Sequence, residues 1–449
     1  MIMSNRTTFT TKLGVIAATV GSAVGLGNIW RFPYETGQNG GAAFLLVYLI
    51  CVFFIGVPVM IAEFSIGRSA KANANKAYKI LSPGTHWNII GIMGIFASIF
   101  ILGFYSVIAG WTLEYVFQAL TNGLTGKSAA EFQESFTGFS SDTFRPLIWI
   151  FLFLALNYFI VSRGIKDGIE KASNILTPLL FVILIVFCIR SIFLPGASEG
   201  LKFLFHPDFS KIDSNVILRA MGQAFFSLSL GMGTLTTYAS YFSDSTNLSK
   251  TAVTVGILDT MVAVLAGVLI FPAAFSFGID PSQGPELVFI TLPNIFQHLP
   301  GSLFWSMLFF ILLSVAALTS TISLCEVGVA YLHEEFGISR KKATWILIAF
   351  CIVSSTLCSL SFGVLKDFKL FGLTIFNFCD FTASNILLPL GGMLIAIYVG
   401  WVLNKKIVFN EVSNRQTLKV GFFKLLIFCI QYIAPIAIAL IFLSGLGVF

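Results

Sequence analysis

The tightest constraint on this chain is a succession of apolar stretches long enough to cross a bilayer, two of them interrupted near the middle by glycine pairs. About twenty apolar residues span the hydrocarbon core. Cutting at charged and Pro/Gly-rich breaks leaves eleven such runs: 11–38, 42–70, 88–121, 146–162, 169–194, 215–242, 251–277, 302–335, 342–361, 374–403 and 420–446. Only 11% of residues are charged, against about a quarter in soluble domains. The chain therefore reads as an all-α polytopic protein of the lipid bilayer. Several runs exceed the length a perpendicular helix needs, so those must tilt, break or project.

The cations set an orientation. With the N-terminus cytoplasmic, most of the 27 Lys and Arg residues fall on inner segments, among them Arg6, Lys12, Arg68, Lys71, Arg163, Arg340 and Lys405. That satisfies the positive-inside rule, and an odd number of spans places the C-terminus outside. The net charge of +6 is scattered over short loops, which excludes a nucleic-acid surface. The first run is too long and Gly-rich for a cleaved signal, so a retained span is expected. Seven cysteines lie in or beside apolar runs without metal-ligand spacing, and only four histidines are present. Metalloenzyme and membrane-enzyme chemistry have nothing to work with: there is no HExxH and no paired aspartates within a span. No pore-helix motif supports a channel. Between spans, 121–145 is polar and reads as a surface loop, while 280–301 reads as a re-entrant lid or an interfacial loop.

The first run contains "VGLGNIWRFP" (24–33), whose glycines cost about 1 kcal/mol each in a helix interior and whose arginine is costly in lipid. A related interruption, Gly231-Met232-Gly233, lies in the sixth run as Gly25-Leu26-Gly27 lies in the first. Each opens a block of five spans. Five is odd, so the blocks insert with opposite orientation. The expected architecture is a five-plus-five inverted-repeat transporter fold with unwound first and sixth helices, divided as 1–200, 201–405 and an additional helix in 406–449. A single GxG would favour close helix packing. The matched pair, beside Asn28, Ser227 and Ser229, favours a binding site at mid-membrane. Opened helices free backbone N–H and C=O groups that lipid cannot satisfy, and their ends attract anions and cations.

"GSAVGLGNIWRFPY" (21–34), "NGGAAFLLVY" (39–48), "GVPVMIAEFSIGR" (56–68), "GWTLEY" (110–115), "GQAFFSLSLGMG" (222–233), "TYASY" (237–241), "GPELVFITLP" (284–293) and "ALTSTIS" (317–323) occur in this order. Together they resemble the neurotransmitter:sodium symporters, and bacterial amino-acid members most closely. Eleven spans rather than twelve keep the ten-helix core but leave no twelfth helix for an oligomer contact, and no protein partner is implied. The resemblance implies sodium-coupled uptake of an amino acid across a bacterial inner membrane, with no enzymatic step. It assigns one sodium ion to the carbonyls of Gly21, Val24 and Ala316 with the hydroxyls of Thr319 and Ser320. A second falls to the Ala23 carbonyl, Asn28, Ser227 and Asp259, completed by the substrate carboxylate, which also takes the amides of Leu26 and Gly27 and the Tyr105 hydroxyl. Oxygen donors suit a dehydrated alkali cation.

Asp259 stands where many members carry an amide, and Ala263 where chloride-binding members carry a serine. A fixed negative charge beside the site implies transport without chloride. The resemblance also implies gates: Arg31 with Asp380, directly or through water, above Phe226 on the outer side, and Arg6 with Glu334 on the inner side. Glu63 is expected to support the first break. Ser22, Ile101, Tyr105, Phe226, Ser229, Met232, Ser320 and Leu324 would line the side-chain pocket. A compliant methionine and two serines suit an aromatic or large hydrophobic amino acid, tyrosine first and tryptophan next. The alternatives are a symporter for another small neutral amino acid or amine, or an amino-acid sensor on the same scaffold.

Overall fold

The computed structural model describes residues 6–278 and 287–448. Among them the chain is helical, apart from one isolated bridge between Leu370 and Leu373. Eight unbroken helices are long and apolar enough to cross a membrane. They are α2 (Ala42–Ala70), α3 (Ile89–Leu120), α5 (Ile165–Ile192), α7 (Leu248–Ser276), α8 (Ser302–Phe336), α9 (Arg340–Leu360), α10 (Ile375–Val402) and α11 (Phe423–Gly445). Three further crossings complete the set. The first span, α1, runs Lys12–Ala23 and then Gly27–Gln38 with a 54° bend. The fourth, α4, is Arg145–Val161. The sixth, α6, comes in two pieces, Ser214–Ser227 and Thr234–Ala239.

Burial grades these helices from centre to periphery. The apolar windows of α8 and α3 are 78% and 72% buried, whereas those of α5 and α11 are 39% buried and turn the remainder outward. The glycines of α3 allow this close approach: a Cβ at Gly94 would stand 3.0 Å from the Gly233 nitrogen. The first broken span packs against α5, α7 and α8 and the sixth against α2, α8 and α11, so the irregular backbone is enclosed by protein, as a bilayer demands.

The breaks differ in construction. In α1 only Val24 and Gly25 leave the helix, Val24 adopting extended backbone at φ −70°, ψ 115°. In α6 the interruption covers Leu228–Gly233, where the backbone takes positive φ at Ser229, Gly231 and Gly233. Glu63 of α2 serves this second break rather than the first. Its carboxylate accepts from Gly231 N at 2.8 Å and from Thr236 Oγ1 at 3.2 Å. The expectation of support at the first break is thus corrected, because α2 lies along the second half of α6. A different glutamate, Glu170 at the start of α5, holds the entrance of α1. It accepts from Thr10 N at 2.8 Å and Thr11 N at 3.1 Å.

Two connections need comment. The 121–145 segment is not a plain loop: Ala129–Ser141 is a helix with Ser128 and Glu131 forming a capping box. Its polar sequence hides a buried edge, since Phe132 and Phe139 point inward. Part of the 280–301 stretch, 280–286, lies outside the described residues. Its described remainder is a buried helical wedge, Leu292–Gln297 with Phe289 before it, set against Trp111, Tyr115 and Phe310. All seven cysteines are free and buried.

Gly231 permits a direct test of the second break. It holds φ +79°, and a Cβ there would stand 2.6 Å from the Leu388 carbonyl oxygen. Left-handed backbone costs a non-glycine residue roughly 1–2 kcal/mol, and the collision adds to it. Gly231→Ala is expected to lower the thermal midpoint of the detergent-solubilised protein by several degrees. An unchanged midpoint would contradict the conformation described.

Candidate functional site

The two breaks meet at mid-membrane, and their loosened backbone is bonded by side chains from across the bundle. In α1, Gly25 N donates to Asn28 Oδ1 at 3.0 Å and Leu26 N donates to the Tyr105 hydroxyl of α3 at 3.0 Å. Carbonyls freed at the same place accept from α8 and α6: Val24 O from Ser320 Oγ at 3.1 Å, Ser22 O from Ser229 Oγ at 3.0 Å, and Gly27 O from Gln223 Nε2 at 3.2 Å. Hydrogen bonds of this kind are what keep an open helix tolerable away from water.

Asn28, Ser227 and Asp259 come together from α1, α6 and α7. Three oxygens surround the Asn28 amide nitrogen: Ser227 Oγ at 2.9 Å, Asp259 Oδ1 at 2.8 Å and the Asp259 carbonyl at 3.2 Å. Ser227 Oγ also donates to Asp259 Oδ2 at 2.7 Å, and Tyr48 OH of α2 does so at 3.3 Å. Asn28 and Asp259 are fully buried and Ser227 nearly so. A carboxylate at mid-membrane is expensive unless paired. Among the described residues Asp259 has no cationic side chain beside it, and it is held by hydrogen-bond donors alone. The amide nitrogen sits where a small cation would find an oxygen shell, and the amide has only to turn to offer Oδ1 instead.

A second oxygen cluster forms where α1 crosses α8. Thr319 Oγ1 donates to Ala316 O at 3.0 Å, and Ser320 reaches Val24 O. Gly21 touches this group too, since a Cβ on it would stand 3.3 Å from Thr319 Cβ. All five expected residues therefore adjoin. A cation here would have to draw the Thr319 and Ser320 protons away from these carbonyls.

Between the clusters lies a cavity of about 40 Å³, lined by Ser22, Ala23, Gly25, Gly27, Ile101, Tyr105, Phe226, Ser227, Ser229, Met232, Ser320 and Leu324. All eight residues expected to line the pocket are on this wall, while Leu26, expected through its amide, turns that amide to Tyr105. The volume is close to that of one water molecule, so a side chain enters only if the wall yields. Phe226 and Met232 are its large movable members.

Phe226 separates this cavity from a wider one of about 250 Å³ that reaches Arg31, Glu35, Arg219 and Asn385. The Arg31 guanidinium stacks over the Phe226 ring at 4.5 Å and lies 3.8 Å from Glu35. Asp380 accepts from Ser384 Oγ at 2.9 Å, and among the described residues no direct ion pair joins it to Arg31. On the face that carries the N-terminus the arrangement is tight. Arg6 pairs with Glu334 at 2.7 Å, donates to Lys71 O at 3.0 Å and stacks on Tyr241 at 4.4 Å. Residues that sequence reasoning passed over include Tyr48, Gln223 and Ser323, which accepts from Ser22 Oγ at 2.8 Å. Each lies within a motif that carries the resemblance, yet only packing reveals its partner.

Known proteins resemble this chain in sequence and fold. The model of the sodium:neurotransmitter symporter family matches residues 6–142 and 140–449. The chain is 38% identical to an uncharacterized sodium-dependent transporter of Bacillus subtilis, covering 97% of both. It is 28% identical to the sodium-dependent serotonin transporter of Drosophila melanogaster, over 98% of this chain and 76% of that one. Among solved structures, MhsT in complex with L-phenylalanine superposes with a TM-score of 0.90 at 47% identity, covering 98% of this chain and all of the other.

The position of Phe226 generates a prediction. Phe226→Ala should merge the two cavities, so that a cysteine placed at Ser22 becomes reactive towards a membrane-impermeant thiol reagent. Ser22→Cys alone should label at least tenfold more slowly. Equal labelling rates with and without Phe226 would contradict its place as the partition.

Proposed function

The chain belongs to the sodium:neurotransmitter symporter family and is a sodium-dependent membrane transporter rather than an enzyme; from the geometry above we propose that it imports an aromatic or large hydrophobic L-amino acid, tyrosine or tryptophan foremost, without chloride. The observation that carries this reading is the convergence of Asn28, Ser227 and Asp259 beside a cavity walled by Ile101, Met232 and Leu324. The apolar wall disfavours charged side chains. Met232 is unbranched and repacks readily, which suits a large ring. That MhsT holds L-phenylalanine in its solved complex supports the same class of substrate.

The amino-acid carboxylate would bind at the opened α1, taking the amides of Leu26 and Gly27 and the Tyr105 hydroxyl. One sodium ion would sit among Ala23 O, Asn28, Ser227 and Asp259 and touch that carboxylate. The other would use Gly21, Val24, Ala316, Thr319 and Ser320. An ion in contact with the substrate strengthens its binding and is strengthened equally in return, which couples the two. A tenfold sodium gradient supplies about 1.4 kcal/mol per ion, and 100 mV of membrane potential adds about 2.3 kcal/mol per charge. Asp259 supplies the negative charge that balances the ions, and Ala263 offers no hydroxyl for an anion.

In this cycle the N-terminal face is cytoplasmic and Arg6–Glu334 closes it. Arg31 and Asp380 approach above Phe226 once substrate is in place, and the inner network then parts. The repeats 1–200 and 201–405 move against one another, with 406–449 outside the exchange. The membrane is the bacterial plasma membrane, and the C-terminus is extracytoplasmic.

Sodium-driven uptake in proteoliposomes tests the charge argument. Replacing chloride by gluconate should leave the initial rate within about a third of its value. Asp259→Asn should lower uptake at least tenfold while the protein remains folded by its thermal midpoint. A large loss in gluconate, or full activity in Asp259→Asn, would overturn the role given to this carboxylate.

A further inference from the structure

Two hydroxyls on the wall of the central cavity have committed their protons outside the proposed ion sites. Ser229 Oγ donates to Ser22 O at 3.0 Å. Ser22 Oγ lies 2.8 Å from Ser323 Oγ, and Ser323 decides the direction of that bond. The Ser323 hydroxyl gives its single proton to Ser320 O at 2.8 Å, so Ser22 is the donor. A hydroxyl has one proton and two lone pairs. Ser22 and Ser229 therefore turn only lone pairs towards the cavity that they line, while Tyr105 on the same wall accepts from Leu26 N and holds a proton that the proposed function gives to the substrate carboxylate. Ser323 itself is buried behind this wall.

On the reading of the cavity as an amino-acid site, we infer that the paired acceptors Ser22 and Ser229 select aromatic side chains that carry a hydrogen-bond donor, the indole N–H of tryptophan or the phenol O–H of tyrosine, over phenylalanine. Ser323 is the positioning residue: by taking the Ser22 proton it sets the polarity of the wall. An indole N–H meets a lone pair without any hydroxyl having to turn. A phenylalanine ring leaves the lone pairs unmet in a site closed to water. An acceptor in the same place would face lone pair to lone pair unless Ser22 abandoned Ser323. Sites built around a hydrogen bond discriminate strongly against ligands that lack it, and a single unmet buried partner corresponds to roughly tenfold in affinity.

The test compares two ligands of nearly one shape, L-tryptophan and L-3-benzothienylalanine, in which sulfur replaces the indole N–H. Each competes for a labelled amino acid on the purified full chain in sodium. Tryptophan should bind about tenfold tighter. In Ser323→Ala the Ser22 proton is released, and the ratio of the two affinities should fall towards one. Ser22→Ala should lower the same ratio by removing an acceptor, which keeps the test open if Ser323→Ala does not fold. A wild-type ratio of one, or a ratio untouched by both substitutions, overturns the inference. If neither ligand competes at all in sodium, the amino-acid reading of the cavity fails with it.

Discussion

Everything in this structure depends on how opened backbone is satisfied inside a membrane. Lipid offers no hydrogen bonds, and each stranded peptide group would cost several kcal/mol. The chain meets this by crossing its bonds. Tyr105 of the third span holds an amide of the first, Ser320 of the eighth holds a carbonyl of the first, and Glu63 of the second holds an amide of the sixth. The breaks are thus tied into helices that are themselves continuous and deeply buried. Polar groups at the breaks are stable here because the donors used there have acceptors, most of them from another helix and, for Gly25 N, Asn28 of its own span.

The same bonds make the site responsive. Asn28 presents its amide nitrogen to Ser227 and Asp259 and its oxygen to the Gly25 amide, an arrangement that a cation would invert. Thr319 and Ser320 direct their protons at carbonyls that a cation would claim. Internal hydrogen bonds stand where ion contacts are proposed, so an ion and these bonds would compete for the same oxygens. Because Phe226 lies between the two cavities under Arg31, a shift of α1 or α6 changes access from that side. On the opposite side Arg6 and Glu334 join the N-terminal segment to the end of α8.

Much of this was legible in the sequence because bilayer physics simplifies it. Apolar runs delimit spans directly, and all eleven expected crossings lie within about one helical turn of the observed helices. The glycine triplets mark both breaks, since nothing else in a membrane helix calls for GxG twice at matching places. The residues that the resemblance assigns to the pocket share one cavity wall. What stayed hidden depended on distances across the bundle. Glu63 is a conspicuous intramembrane charge, yet which break it serves is decided by the path of α2 along α6. Tyr48 and Ser323 close motifs that carry the family resemblance, yet their bonding follows only from partners far away in the chain. The helix Ala129–Ser141 was masked by its polar surface, because its buried edge is Phe132, Phe139 and the polar Ser140.

The central claim is that alkali ions and a zwitterion share one site at the two opened helices. The most direct measurement is equilibrium binding of a radiolabelled aromatic amino acid to the purified protein, in sodium and in potassium at equal ionic strength. The account predicts saturable binding in sodium with an affinity that rises with sodium concentration, and loss of that binding in potassium. Equal affinity in the two salts would contradict it.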